Sequence, residues 1–155
     1  MTAPSRLKSL PSWLINQLSL YAHRVVAEHL RHAHVAHRYH YSLLAALAEN
    51  GPASQAELGR RIGLDRSDVT AAINDLSGQG AVERTADATD RRRNVVSLTD
   101  DGTAHLEDME RLVAEAQDEL LAPLSPDERS ELIRMLSILV EYHSPREGTS
   151  RFHGG

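Results

Sequence analysis

The chain contains no cysteine, so disulfide frameworks and thiolate chemistry, including peroxide sensing through a thiol, are closed to it. Aromatic residues make up only 4%, within an otherwise ordinary globular composition that is 41% hydrophobic and 25% charged. No apolar run approaches the roughly 18 residues that span a bilayer, so no membrane partner is expected. The opening MTAPSRLKSLPSWLIN lacks the apolar core of a secretory signal, and a cytoplasmic location is the expectation. There is no HExxH pair, no glycine-rich phosphate loop, no nucleophile–base arrangement and no paired buried carboxylates. The chain therefore reads as a non-enzyme that needs no cofactor.

The net charge of −5 argues against an indiscriminate nucleic-acid binder, but the charge is unevenly spread. Residues 1–41 hold five basic residues against Glu28 alone, and residues 60–93 hold seven arginines against six acids. Residues 100–131 hold eleven acids against Arg111 and Arg129. All but one of the 17 basic residues are Arg, a bias that a GC-rich genome explains as readily as selection for forked phosphate contacts.

A length of 155 residues fits one domain with a real core. Residues 1–10 read as a loose tail. From Pro11-Ser12, apolar Leu14, Leu18, Tyr21 and Val25 recur at helical steps, predicting a long amphipathic helix to about His34 whose stripe is buried on a partner subunit. A second helix carries Leu43, Leu44 and Leu47 and stops at Gly51-Pro52. Ser54-Gln55-Ala56-Glu57 is a capping box that opens a short helix with Leu58 and Ile62 inward, closed by Gly63. Asp65 caps the next, with Val69, Ala72, Ile73 and Leu76 on its buried face and Gly78 and Gly80 at its end. AVERTA, DATDRRR and NVVSL then read as a β-hairpin. Thr99 caps a charged helix to about Leu121, Pro123 breaks it, and Ser125-Pro126-Asp127-Glu128 starts a last helix that ends before Pro145. The tail beyond it reads as disordered.

Two short helices joined by a tight GLD turn and followed by an arginine-tipped hairpin make a winged helix-turn-helix, a DNA-reading unit. On its second helix Arg66, Ser67, Asp68, Thr70, Ala71 and Asn74 remain outside the buried face. Ser67 and Thr70 suit bases or phosphates, Asn74 suits adenine, and Asp68 suits either a cytosine amino group or the helix dipole. Ser54 and Gln55 sit where a helix N-terminus offers N–H groups to a phosphate, although Ser54 is first of all a cap. Arg84 leads into the wing, and Arg91, Arg92 and Arg93 at the hairpin tip suit a narrow minor groove.

Three stretches, AELGRRIGLDRSDVT, LSGQGAVER and DRRRNVVSLTDDG, resemble the MarR family of bacterial transcription regulators. The last carries that family's pattern on Asp90, Arg92, Val96, Leu98, Thr99 and Gly102, and the likeness runs from about Ser12 to Tyr142. The resemblance implies a mainly α fold with a small β-hairpin wing (53–99), flanked by N- and C-terminal dimerisation helices (12–50 and 101–143). The range 53–99 is the whole winged helix-turn-helix, of which the hairpin is the last part. The resemblance also implies a homodimer on a pseudo-palindromic double-stranded operator, acting as a repressor, with Arg92 in the minor groove and Asp90 orienting it. The dimer would hold two recognition helices about one DNA turn apart, roughly 34–36 Å. Ala71 and Asp75 depart from the resemblance, standing where relatives often carry basic residues; the wing is therefore expected to supply an unusually large share of affinity.

Family members often bind a small-molecule effector between the dimer helices and the reader. Trp13, Tyr21, Arg24, Arg38, Tyr39, His40 and Tyr41 are candidates for lining such a cleft, and equally for dimer-core or capping roles. Six of nine histidines fall between His23 and His40, with His29/His32 and His37/His40 at a spacing that suits a shared metal. A zinc-sensing regulator, with Glu28 and His105 as further ligands, is thus one alternative. Solvated or interface histidines are the simpler reading, so no metal is assigned. A winged-helix module for protein–protein interaction is the other alternative.

Overall fold

The computed structural model describes residues 3–31, 39–90 and 92–145. Its elements are α1 (Ser5–Lys8), α2 (Pro11–Arg31), α3 (His40–Asn50), β1 (Ala53–Ser54), α4 (Gln55–Ile62), α5 (Arg66–Gly78), β2 (Val82–Ala86), β3 (Asn94–Leu98), α6 (Asp100–Leu120) and α7 (Pro126–His143). The chain divides into two compact units, Met1–Leu120 and Leu121–Gly155.

Local chemistry sets most boundaries in the first unit. Gly51 ends α3 at φ +76°, and Gly63 ends α4 in the left-handed region at φ +69°, where a Cβ would be strained. Ser54 and Asp65 cap α4 and α5 through Glu57 N–H and Asp68 N–H. Helix α3 is the hub. Its Leu43, Leu44 and Leu47 join Leu58 of α4, Val69, Ile73 and Leu76 of α5, Val96 of β3 and Met109 of α6 in one aliphatic core. Helix α2 meets it through Leu30 and Val26, and His29 Nε2 reaches Glu119 Oε2 of α6 at 3.3 Å.

Three features differ from the sequence expectations. A single helical turn, α1, forms within the stretch read as a loose tail. The wing is a three-stranded antiparallel sheet of order β1-β3-β2, not a bare hairpin, because Ala53 pairs with Val96 and Ser54 with Val95 on the far side of β3. The capping box of α4 is only half formed: Ser54 Oγ accepts Glu57 N–H at 3.2 Å, but the Glu57 carboxylate is engaged by Arg93 instead. The stripe of α2 is exposed in the single chain at Leu14, Leu18 and Tyr21, which is consistent with burial on a partner.

In the second unit the Ser125 box is complete, with Glu128 N–H donating to Ser125 Oγ at 3.2 Å and Ser125 N–H to Glu128 Oε1 at 2.9 Å. Arg129 Nε donates to the Leu121 and Leu124 carbonyls, fastening the preceding turn to α7. The apolar residues Ile133, Met135, Leu136, Leu139 and Val140 of α7 are exposed. No helix among the described residues is long and apolar enough to cross a membrane.

Candidate nucleic-acid interface

Helix α5 begins on an ordered cap. Asp65 Oδ1 accepts Asp68 N–H at 2.9 Å and the Ser67 hydroxyl at 2.8 Å. These bonds, the backbone one first, hold the Asp65 carboxyl below its ordinary value of 3.8. A lowered carboxyl stabilises the fold fully above its ordinary value, and that contribution fades as pH falls through the lowered one. Protection of the first-turn amides of α5, judged by their exchange rate relative to the intrinsic rate at the same pH, is therefore expected to fall below pH 3.8, and Asp65→Asn should remove that part of the acid response. Beyond the cap, Thr70 Oγ1 donates to the Arg66 carbonyl at 2.8 Å. Both hydroxyls already spend their protons inside the helix. To donate to DNA, Ser67 and Thr70 must exchange those bonds, whereas their lone pairs are free to accept. Arg66, Ala71 and Asn74 are exposed and Asp68 is half-buried.

Asn74 is not isolated. Arg84 Nη2, on β2, donates to Asn74 Oδ1 and ties the wing's first strand to the recognition helix. Arginine offers only donors, so this contact fixes the acceptor end of the Asn74 amide toward Arg84. The adenine pairing expected of Asn74 uses that same oxygen, so the Arg84 contact leaves one of its two lone pairs for the base.

The wing loop is built by two aspartates. Asp87 Oδ1 accepts the Thr89 N–H and hydroxyl, both at 2.9 Å, and these bonds depress its pKa, with the Arg93 charge a lesser cause. Asp90 Oδ1 accepts the Arg92 backbone N–H at 3.0 Å, and the loop closes through Asp87 N–H on the Arg93 carbonyl at 2.9 Å. Asp90 thereby fixes the backbone from which the exposed Arg92 side chain projects. Arg93 points differently: its Nη2 donates to Ser54 Oγ at 3.2 Å and to Glu57 Oε1 at 3.1 Å. Ser54 is buried by this arrangement, while Gln55 beside it is half-buried. Arg91 lies outside the described residues.

The residues named for an effector cleft fall in different surroundings. On α2, Trp13 is half-buried, Tyr21 is exposed, and the Arg24 guanidinium lies 5.6 Å from the Tyr21 ring centre. Tyr39 and Tyr41 pack against the core. His40 is fully buried at the start of α3, its Nε2 3.7 Å from Asp75 Oδ2 of α5, so it links α3 to the recognition helix, a role that spacing along the sequence gave no sign of. Arg38, His32 and His37 lie outside the described residues. His29 is committed to the Val25 carbonyl at 2.9 Å and to Glu119. Among the described residues no group of three or more His, Asp or Glu side chains is placed to hold a metal ion, and the zinc-sensing alternative finds no support.

Comparison with known proteins agrees with this geometry. Residues 37–93 match the family model described as "MarR family". A putative transcriptional regulatory protein for the hcr operon of Thauera aromatica is 33% identical over 104 residues, 67% of this chain and 63% of that protein. The match thus spans less than two thirds of that curated relative's length. Among solved structures, a probable transcriptional regulator from Pseudomonas aeruginosa superposes with a TM-score of 0.78 at 28% identity, covering 86% of this chain and 98% of that one. The transcriptional repressor CouR, bound to a 23-mer DNA duplex, superposes with a TM-score of 0.82 at 26% identity, covering 90% of this chain and 99% of the other. In the winged helix-turn-helix, its arginine-tipped wing and these likenesses together, the chain is similar to the MarR family, whose model its residues 37–93 match.

Proposed function

We propose that the chain is a sequence-specific DNA-binding transcriptional regulator, a homodimeric repressor of a pseudo-palindromic operator that a small-molecule effector releases. The observation that carries this is the pairing of a capped, exposed recognition helix with a wing whose tip presents Arg92 outward on an aspartate-built loop. Likeness to a repressor bound to a DNA duplex supports the same reading. Residues 53–99 form the reader. The exposed apolar faces of α2 and α7, within residues 12–50 and 101–143, are the dimerisation surfaces. Effector release works by population shift: a ligand that prefers one separation of the two readers moves the dimer away from the one DNA needs. A cytoplasmic, nucleoid-associated location goes with this role.

Binding of the purified chain to DNA flanking its own gene, in rising salt and against scrambled competitor, tests the reading. A site preferred by at least about 10³-fold over non-specific DNA is expected. Equal affinity for the scrambled duplex would favour the winged helix as a protein-interaction scaffold. Sedimentation equilibrium is expected to give twice the 17.1 kDa chain mass, and a monomer at micromolar concentration would remove the two-reader arrangement.

A further inference from the structure

We propose that Arg93 is a positioning residue that braces the wing against the N-terminus of α4, and that it does not itself touch DNA. The proposal rests on the DNA-binding reading for its consequence, but the brace exists in the free protein. Arg92 and Arg93 are adjacent at the hairpin tip, and the structure gives their side chains different surroundings. Both backbone groups of Arg93 close the wing loop, its N–H on the Asp90 carbonyl at 3.0 Å and its carbonyl on Asp87 N–H at 2.9 Å. Its side chain leaves the loop and crosses to the helix-turn-helix, where Nη2 bridges Ser54 Oγ and Glu57 Oε1. Among the described residues, no other side chain of the loop 87–93 makes a hydrogen bond to the helix-turn-helix.

The receiving site is firm. Ser54 is only 8% exposed, caps α4 through Glu57 N–H, and belongs to β1, which pairs with β3 at Ser54↔Val95. One guanidinium therefore joins the wing loop, β1 and the helix that precedes the recognition helix. Glu57 pairs with it in place of completing its capping box. The ion pair is half exposed, so it contributes little as a free-standing attraction. Its effect is on direction: it holds the base of the loop, and with it the origin of the Arg92 side chain, at one angle to the reader. The Glu57 carboxylate also neutralises Arg93, which makes it a poor phosphate partner while the brace is closed.

Amide exchange of Asp87 and Arg93 in the DNA-free protein tests the brace. Arg93→Ala and Glu57→Gln should each speed exchange at both amides by about threefold or more, and the double variant should be no faster than either single one, since both break the same link. Arg93→Lys, which keeps the charge but loses the fork, should fall between wild type and Arg93→Ala. Single variants that exchange like wild type, or effects that add in the double variant, overturn the brace. On operator DNA, Arg93→Ala and Glu57→Gln should weaken binding in the same direction. If Glu57→Gln tightens binding and Arg93→Ala lowers the salt slope by the full ~0.9 of a lost phosphate contact, Arg93 touches DNA and the proposal fails whatever the exchange data show. A wild-type chain that binds no operator would refute the DNA-binding reading instead, and the exchange experiment alone would then decide the brace.

Discussion

Replacing Arg92 by alanine is expected to weaken operator binding by a factor of about 5 to 150, the equivalent of roughly 1–3 kcal/mol for one well-placed arginine contact. The reason lies in how little free positive charge the recognition helix and the strands and loop beside it offer. Ala71 and Asp75 put no cation on the recognition helix beyond Arg66 at its first turn. The Ser67 and Thr70 protons are bonded within the helix, Arg84 is turned onto Asn74, and Arg93 onto Ser54 and Glu57. Arg92 makes no side-chain hydrogen bond or ion pair among the described residues, and Asp90 holds only its backbone. Its guanidinium is thus available to a narrow, electronegative minor groove at little cost in lost protein contacts. Fluorescence anisotropy with operator duplex at several salt concentrations measures both consequences: the loss of affinity, and a slope of log K against log salt shallower by about 0.9 where a phosphate contact is lost with it. Arg92→Lys should recover only part of the affinity, because a point charge replaces a planar fork. A loss of less than about threefold for Arg92→Ala would show that the wing is not the main anchor.

What the sequence made legible was whatever is decided within a few residues. Gly51 and Gly63 as stops, Ser54, Asp65 and Ser125 as caps, and the buried faces of α3, α4 and α5 all depend on spacing and local hydrogen bonding. The reader and the family likeness followed from those same local signals. Less legible was everything fixed by a partner far along the chain. Two residues, Ala53 and Ser54, are too short to announce a strand, and they become one only because Val96 and Val95 arrive some 40 residues later. Glu57 satisfies a capping-box pattern, yet Arg93 competes for its carboxylate from 36 residues away, so the local rule is half overridden. His40 belongs to a histidine-rich stretch that looks like ligand chemistry, but position on the hub helix buries it against Asp75. Residue type named the candidates for the interface and the family resemblance singled out Arg92; only tertiary placement showed Arg93 turned inward onto Ser54 and Glu57.

The same junction of wing and helix makes Gly102→Ala the substitution expected to be most damaging to stability. A Cβ built at Gly102 would lie 2.0 Å from the Ala81 carbonyl oxygen, 2.9 Å from its carbon and 2.8 Å from Leu98 Cδ1. The leucine tip can rotate aside, but the carbonyl cannot, because it accepts Thr99 N–H at 3.1 Å where the chain leaves β3 for α6. The Thr99 hydroxyl locks the same corner, donating to the Gly80 carbonyl at 2.7 Å and accepting Gly102 N–H at 3.0 Å. Moving Ala81 away from a new methyl group therefore pulls on the start of β2, the end of β3 and the cap of α6 together. Overpacking of this kind costs about 1–3 kcal/mol, and the helix preference of alanine over glycine returns at most about 1 kcal/mol. Near a scale of 2–4 °C per kcal/mol for a chain of this size, the difference of up to about 3 kcal/mol lowers the melting temperature by up to about 12 °C. Gly78→Ala is the matched control: its Cβ meets nothing within 4 Å, so the same helix preference acts there unopposed and a small gain in stability is expected. Thermal unfolding of the two variants beside the wild type separates the effects, and a Gly102→Ala protein that melts at or above wild type would show that the Ala81–Thr99 corner yields. Because that corner carries the wing, operator affinity should fall along with stability in Gly102→Ala and stay unchanged in Gly78→Ala.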